Sequence, residues 1–349
     1  MIYQNTIVKF LSLFIPDQDL RGKFINKYQR KTRYRILRDE NISLRKDLER
    51  LKQSHAHDIR KLYNEFEYSM HKYALPEQRP QMLKDWYRRQ TGGGELDLES
   101  PQTFNEKINW MKLHDMDDLK TKLADKYAVR SWVKEKIGEQ YLIPLLGVYE
   151  RPEDIDWDTL PDEFVIKCNH GSAMNIIVND RNSVDIENIN NRLQTWLGIN
   201  YAFYGFEMQY EKIEPKVLIE KKIENEGHND LFDYKFYCFG GEPIYIQFML
   251  DRFQNIVKVA TFDLNWVRQP FAYNHPMTDK TIEKPSNLDL MINIAKKLSE
   301  GFKFVRVDLY RMNNGTIYFG EMTFTPDNAK GTWYGKEMGL QFGDLIKLN

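Results

Sequence analysis

Cysteine and histidine are scarce in this chain. Two cysteines, Cys168 and Cys238, stand far apart in apolar, strand-like runs, which excludes a disulfide scaffold and leaves no zinc-ligand spacing. Seven histidines are scattered in the same unhelpful way. Neither charge sign dominates: the net charge is −1 over 349 residues, so no nucleic-acid surface is indicated overall. The longest early apolar segment, Ile7–Pro16, is too short and interrupted to span a bilayer and has no clear cleavage site for secretion. With 42% hydrophobic and 29% charged residues, the composition describes an ordinary soluble protein. A reducing cytoplasm suits it.

What is present falls into three parts. Residues 1–33 form a short apolar and basic segment, in which Arg21, Lys23, Lys27, Arg30, Lys31 and Arg33 follow the apolar run. Such a pairing is expected either to rest on an anionic membrane surface or to dock as a short helix. Residues 34–90 are expected to be dominated by one long helix, over 34–73. Asn41, Leu44, Leu48, Leu51 and His55 follow alternating three- and four-residue steps, and the pattern slips by one place to Ile59, Leu62, Phe66 and Tyr73. A coiled-coil homodimer is the preferred reading, against a helix folded onto its own catalytic body. Pro76 and Pro80 end the helix, and Gly92–Gly94 is read as a hinge before a body at 97–347.

In that body, a Ser/Thr cluster at Ser100 and Thr103 caps a helix, and a second helix is expected from Leu119 to Ile137, stopped by Gly138. Glu163–Val178 reads as an apolar strand carrying Lys167, a bend at Asn169-His170-Gly171-Ser172-Ala173, and a returning strand. Small residues at such a bend let backbone N–H groups approach phosphate, and Lys167 adds a point charge. A plain hairpin is the competing reading. Lys216–Ile223 is another buried strand, Phe232–Met249 a hairpin turning at Gly240-Gly241, and Leu288–Leu298 an amphipathic helix bearing Leu288, Met291, Ile292, Ala295 and Leu298. The order is α+β with antiparallel sheets.

The most informative stretch is the last hairpin, Phe304–Pro326. Asn314-Gly315 marks a two-residue turn, with Asn313 paired to Thr316. That register sets Asp308 opposite Glu321 and Arg306 opposite Thr323, all on one face, while Val305, Val307 and Leu309 point to the other. Two facing carboxylates repel, and a divalent cation such as Mg2+ would relieve them. A hydrated, solvent-facing strand face is the alternative.

Taken together, Lys126 in Ala-Asp-Lys, Lys167 in Phe-Val-Ile-Lys, Glu220 in Val-Leu-Ile-Glu-Lys-Lys-Ile, and the Asp308–Glu321 pair resemble the ATP-grasp pattern. The phrases around Leu96–Lys107, Cys168–Ser172, Arg306–Tyr310 and Phe319–Pro326 resemble the TupA-like ATP-grasp group of teichuronopeptide and bacterial surface-polysaccharide (capsule) synthesis. The resemblance implies an ATP-grasp fold of two α+β lobes, with Lys126, Lys167 and the loop His170, Gly171, Ser172 at the phosphates of ATP. It places Glu220 and Ile223 at the nucleoside, and Asp308, Glu321 and Thr323 at Mg2+. It implies a cytoplasmic carboxylate–amine ligase working through an acyl phosphate, its acceptor a uronic acid or related carboxylate and its partner an amino acid. Three features depart from the pattern: the usual glycine-rich loop is reduced to one Gly, Thr323 stands where Asn is usual, and no arginine follows it. Arg306, Lys235, Arg252 and Lys330 are therefore the candidates to steady the acyl phosphate. A glycosyltransferase, a kinase on the same fold and a non-catalytic scaffold are the competing classes. Intact Lys167, Asp308 and Glu321 speak against the scaffold.

Overall fold

The computed structural model describes residues 56–224, 231–250, 257–335 and 337–348. The expected seam from Asn41 to His55, the segment 1–33 and Arg252 lie outside them. The chain divides into two compact units, Met1–Met82 and Leu83–Asn349. In the first, helix α1 spans Ala56–Lys72 and carries Leu62 and Phe66 of the expected stripe. Helix α2, Arg79–Gln90, runs across the division. The expected hinge at Gly92–Gly94 falls inside the second unit, whose opening residues Leu83 and Trp86 are buried.

Within that unit, α3 (Phe104–His114) starts at a reciprocal cap. Thr103 accepts from the Glu106 amide while Glu106 accepts from the Thr103 amide at 2.8 Å. The single helix expected from Leu119 to Ile137 is in fact two, α4 (Asp118–Ala124) and α5 (Val129–Lys136). Asp125 breaks it, because its side chain accepts from the amides of Tyr127 and Ala128, at 2.7 and 3.2 Å, and its own backbone is extended. Lys126 thus sits on a bend.

Strands β1 (Leu145–Tyr149), β2 (Phe164–Cys168), β3 (Asn175–Val178) and β4 (Val217–Lys221) form a four-stranded antiparallel sheet in the order β1-β4-β2-β3. It packs against α6 (Ile186–Leu197) through Ile166, Cys168, Ile189 and Leu193. The larger sheet has six antiparallel strands. They are β5 (Phe232–Phe239), β6 (Glu242–Leu250), β7 (Lys258–Asp263), β8 (Arg268–Gln269), β10 (Phe304–Arg311) and β11 (Ile317–Thr323), in the order β11-β10-β5-β6-β7-β8. A short β9 (Ala272–Tyr273) pairs with β12 (Trp333–Tyr334). Gly240 and Gly241 both have positive φ, as a two-residue hairpin turn requires.

Period two gives the large sheet two unlike faces. Val305, Val307, Leu309, Phe236 and Ile246 pack on helix α7 (Leu288–Ser299), whose buried stripe is Leu288, Met291, Ile294, Ala295 and Leu298. Ile294 joins the expected stripe, and Ile292 is half-buried against the same core. Each such fully buried side chain contributes about 1.5–3 kcal/mol. The other face carries Lys235, Arg306, Asp308, Glu321 and Thr323, and the site is built there.

Candidate active site

The facing of Asp308 and Glu321 is observed, but it arises differently from the simple hairpin expected. The turn holds three residues rather than two: the Gly315 amide donates to Met312 O at 2.9 Å and the Met312 amide to Thr316 O at 2.8 Å. Gly315 supplies the left-handed residue, φ +86°. Strand pairs then run Arg311↔Ile317 and Leu309↔Phe319, one place out of the expected register. A β-bulge at Gly320 restores it, giving Asp308↔Glu321 and Arg306↔Thr323. Without that extra residue, Glu321 would turn toward the apolar core. A β-carbon at Gly320 would lie 3.0 Å from the Asp308 carbonyl oxygen, so the bulge needs glycine for close approach.

The expected carboxylate repulsion is met by cations of the chain itself. Arg306 grips Asp308 through both oxygens, at 2.7 and 2.8 Å, and Lys235 donates to Asp308 Oδ2 at 2.5 Å and pairs with Asp233 at 3.0 Å. Arg306 also reaches Glu321 and Thr323, each at 3.1 Å. The Thr323 hydroxyl donates to Glu321 Oε1 at 2.8 Å. Burial pushes the Asp308 carboxyl up, with Arg306 and Lys235 opposing. Partial burial would raise Glu321 as well, but Lys126, Arg306 and Lys235 hold it down to about 2, so it is ionised at any physiological pH.

Mg2+ fits these residues. Among the described residues no cluster of three or more His, Cys, Asp or Glu side chains forms a metal cage. Two carboxylates facing each other on a strand pair are what Mg2+ uses when water and substrate phosphate complete its shell. The Glu321 side chain is 40% exposed, which leaves it open to such a ligand, whereas Asp308 is nearly sealed at 3%.

The small sheet contributes the second half. Lys167 Nζ donates to Glu220 Oε2 at 2.6 Å, and Arg130, not foreseen from the sequence, reaches Glu220 Oε1 at 3.3 Å and Ile143 O at 2.9 Å. Burial lowers Lys167, but Glu220, Tyr310 and Glu321 outweigh it and raise the ammonium overall. Lys126, at the bend, donates through its amide to Asn169 O at 3.1 Å and through Nζ to Gly171 O. Burial lowers it, while Glu321 works against that fall. Lys167 on β2 and Lys126, bonded to the β2–β3 loop, thus both lie in the field of the large sheet's carboxylate.

Other expected residues have different surroundings. His170 is buried, with one ring nitrogen 3.0 Å from Trp196 O and the other 3.3 Å from Asn169 Oδ1, so it braces the loop. Gly171 packs under Tyr201, where a β-carbon would come within 2.8 Å of the ring, and Tyr201 also hydrogen-bonds Ser172. Ile223 lies just beyond β4. Lys330 pairs with Gln90 at 2.9 Å, outside the Arg306–Lys235 group. Asp233 was legible in principle, two places from Lys235 on the same face, as was Lys112, which follows Phe104 and Ile108 at helical spacing. Glu207 had no such signal.

A family model described as TupA-like ATPgrasp matches residues 106–347. Among curated proteins none matches the chain. Solved structures that resemble it include a D-alanine–D-alanine ligase from Bacillus anthracis, at 20% identity and TM-score 0.33 over 58% of this chain and 57% of that one. An L-amino acid ligase from Bacillus licheniformis matches at 11% identity and TM-score 0.39, over 63% and 48%. An N5-carboxyaminoimidazole synthetase from Staphylococcus aureus matches at 15% and 0.32, over 58% and 44%. The chain spans about half the length of these structures. The family match covers more than half of the sequence and the phrases around the site, and the chain belongs to the TupA-like ATPgrasp family.

Proposed function

We propose that the protein is an ATP-dependent carboxylate–amine ligase that joins an amino acid to a uronic acid or related carboxylate in bacterial surface-polysaccharide synthesis. ATP and Mg2+ are the ligands of an ATP-grasp site. The geometry that carries the reading is that Lys167 on the small sheet bonds Glu220 and Lys126 bonds Gly171 O on the small sheet's loop, both in the field of Glu321 on the large sheet. That arrangement suits a triphosphate gripped from both sides. Asp308 and Glu321 would hold Mg2+, which would supply positive charge to the phosphates. Lys126, Lys167 and the Gly171-Ser172 backbone hold phosphate oxygens, and Glu220 and Ile223 meet the nucleoside. Arg306 and Lys235, already poised on Asp308, offset charge where the carboxylate meets the γ-phosphate. Thr323 orients Glu321 through its hydroxyl.

The same proposal extends to the first unit: residues 34–73 pair as a coiled-coil homodimer, and residues 7–35 rest on the inner membrane face. No helix among the described residues is long and apolar enough to cross a membrane. Binding to anionic vesicles at low salt is the result expected for the full chain, and its absence would remove the membrane contact. The catalytic reading is tested by supplying ATP with uronic acids and amino acids. ADP and phosphate should appear only with both acceptors present, together with a new amide by mass. ADP with a phosphorylated product and no free phosphate would make it a kinase. Indifference to ATP with consumption of a nucleotide sugar would make it a glycosyltransferase.

A further inference from the structure

A second polar cluster, unused by the phosphate site, adjoins it. Lys112 is 1% exposed, yet its ammonium donates to Gly205 O at 3.1 Å, Asn328 O at 2.8 Å and Asn328 Oδ1, and lies 4.9 Å from the Trp86 ring. Asn328 is the middle of three left-handed residues, Asp327, Asn328 and Ala329, with φ of 50°, 55° and 52°, just beyond β11. Each persists only where its surroundings impose it. Asn109 does so too, donating to Ala329 O at 3.0 Å.

Glu207, 5% exposed, accepts from the Thr325 hydroxyl at 2.5 Å, and the Thr325 oxygen accepts from Gln209 Nε2 at 2.6 Å. A hydroxyl has one proton, and here it goes to Glu207. Gln209 must therefore turn its NH2 to Thr325, which leaves Gln209 Oε1 without a partner although the residue is 1% exposed. Tyr201, bonded to Ser172, and Tyr210 each lie in the fields of both Glu207 and Glu321, and Tyr210 in that of Arg306 as well. The cluster therefore borders the phosphate loop and the metal carboxylates.

A buried carboxylate and a buried amide oxygen that lacks a donor, on two residues joined through the Thr325 hydroxyl, suit a ligand rich in N–H groups and without acceptors, which describes an ammonium group. We propose that Glu207 and Gln209 form the subsite for the amine substrate, and that Glu207 takes the proton the amine must lose before attack. The assignment rests on the ligase reading. The nitrogen lone pair forms the C–N bond at the acyl carbon. The C–O bond to phosphate breaks, its electron pair leaving with phosphate, and the second proton that nitrogen sheds departs on that phosphate. Burial pushes Glu207 up to about 7, against the pull of Lys112. Thr325 and Lys330 also lower it and Asp327 raises it, while burial brings Lys112 itself down to about 7. A carboxyl tuned to the working pH is suited to accept that proton.

The test uses the full chain with ATP, a panel of uronic acids, and either amino acids or hydroxylamine as nucleophile. Hydroxylamine is largely unprotonated at neutral pH and needs no base. Glu207→Gln should keep hydroxamate formation within about twofold while kcat/KM for the amino acid falls about 10²–10⁴-fold. The rise of the wild-type rate through pH 7 should vanish in the variant. Gln209→Ala should raise KM for the amine about tenfold with kcat little changed. Equal loss with both nucleophiles, or undiminished amine transfer, would overturn the assignment. Wild-type protein that yields no hydroxamate with any acid would overturn the ligase reading and this subsite with it. If Glu207→Gln fails to melt cooperatively, Gln209→Ala and Thr325→Val carry the test, and an unchanged KM for the amine in both refutes it.

Discussion

Replacing Gly320 by alanine probes how the bulge couples the fold to Asp308 and Glu321, the carboxylates proposed to hold the metal. The added β-carbon would stand 3.0 Å from the Asp308 carbonyl oxygen and 3.2 Å from the Tyr310 ring. The first of these is strand backbone, paired on one side with β5 and on the other with β11, and is not free to retreat. Overpacking of this kind costs about 1–3 kcal/mol, and each kcal/mol lowers the melting temperature of a body this size by about 2–4 °C. Gly315→Ala is the matched control. It meets only Asn287 Nδ2, at 3.9 Å, but forces a side chain into φ +86°, at a cost of about 1–2 kcal/mol. Both variants should melt early. Only Gly320→Ala should also weaken Mg2+ binding in the presence of ATP, by about 10–100-fold, because it displaces the strand that aims Asp308 and Glu321. Calorimetric titration of Mg2+ reads this directly. Unchanged Mg2+ affinity in Gly320→Ala, with the loss of stability observed, would refute the claim that the bulge sets the pair.

Asp308→Asn and Glu321→Gln should each abolish Mg2+-ATP turnover, but they should differ in stability by urea unfolding. Asp308 is sealed between Arg306 and Lys235, so its neutralisation should cost about 3–5 kcal/mol, whereas half-open Glu321 should cost less than about 1 kcal/mol. Glu321, held down to about 2, stabilises the fold above its unfolded value near 4.5 and loses that contribution as pH falls from there toward 2. Glu321→Gln should accordingly flatten the acid limb of a stability–pH curve. Burial raises both Cys168 and Cys238 to about 12, so neither should react with iodoacetamide at pH 8 until the protein is unfolded. Removing residues 1–90 should yield a less stable core than removing 1–78, because Leu83 and Trp86 are buried and Trp86 lies against Lys112. Equal melting temperatures for the two truncations would contradict this, and light scattering showing a monomeric full chain would exclude the coiled-coil dimer.

Strand pattern and turn chemistry carried much of this in the sequence. The hairpins at Gly240-Gly241 and Asn314-Gly315 follow from turn chemistry, and period two alone puts Arg306 with Asp308 on one strand and Glu321 with Thr323 on the other. The agreement at Asp308 and Glu321 nevertheless arose from two irregularities that cancel, a longer turn and a bulge, and neither is encoded in alternation. Lys126 lay in a helical pattern that Asp125 breaks by a local side-chain hydrogen bond, a competition that periodicity does not weigh. The counter-charges were harder. Arg130 meets Glu220 from 90 positions away and Lys235 meets Asp308 from 73 away, so only tertiary folding reveals them. Glu207 and Gln209 sit in an irregular segment whose place is fixed by Lys112 and Thr325, and no local rule points to them.

The central claim is that a carboxylate oxygen attacks the γ-phosphate and that an amine then displaces phosphate from carbon. Oxygen-18 in the carboxylate substrate follows that path atom by atom. The account predicts that each turnover delivers one labelled oxygen into the released phosphate, dependent on Mg2+ and on the amine, while the other stays in the amide. Product amide formed with wholly unlabelled phosphate would contradict it.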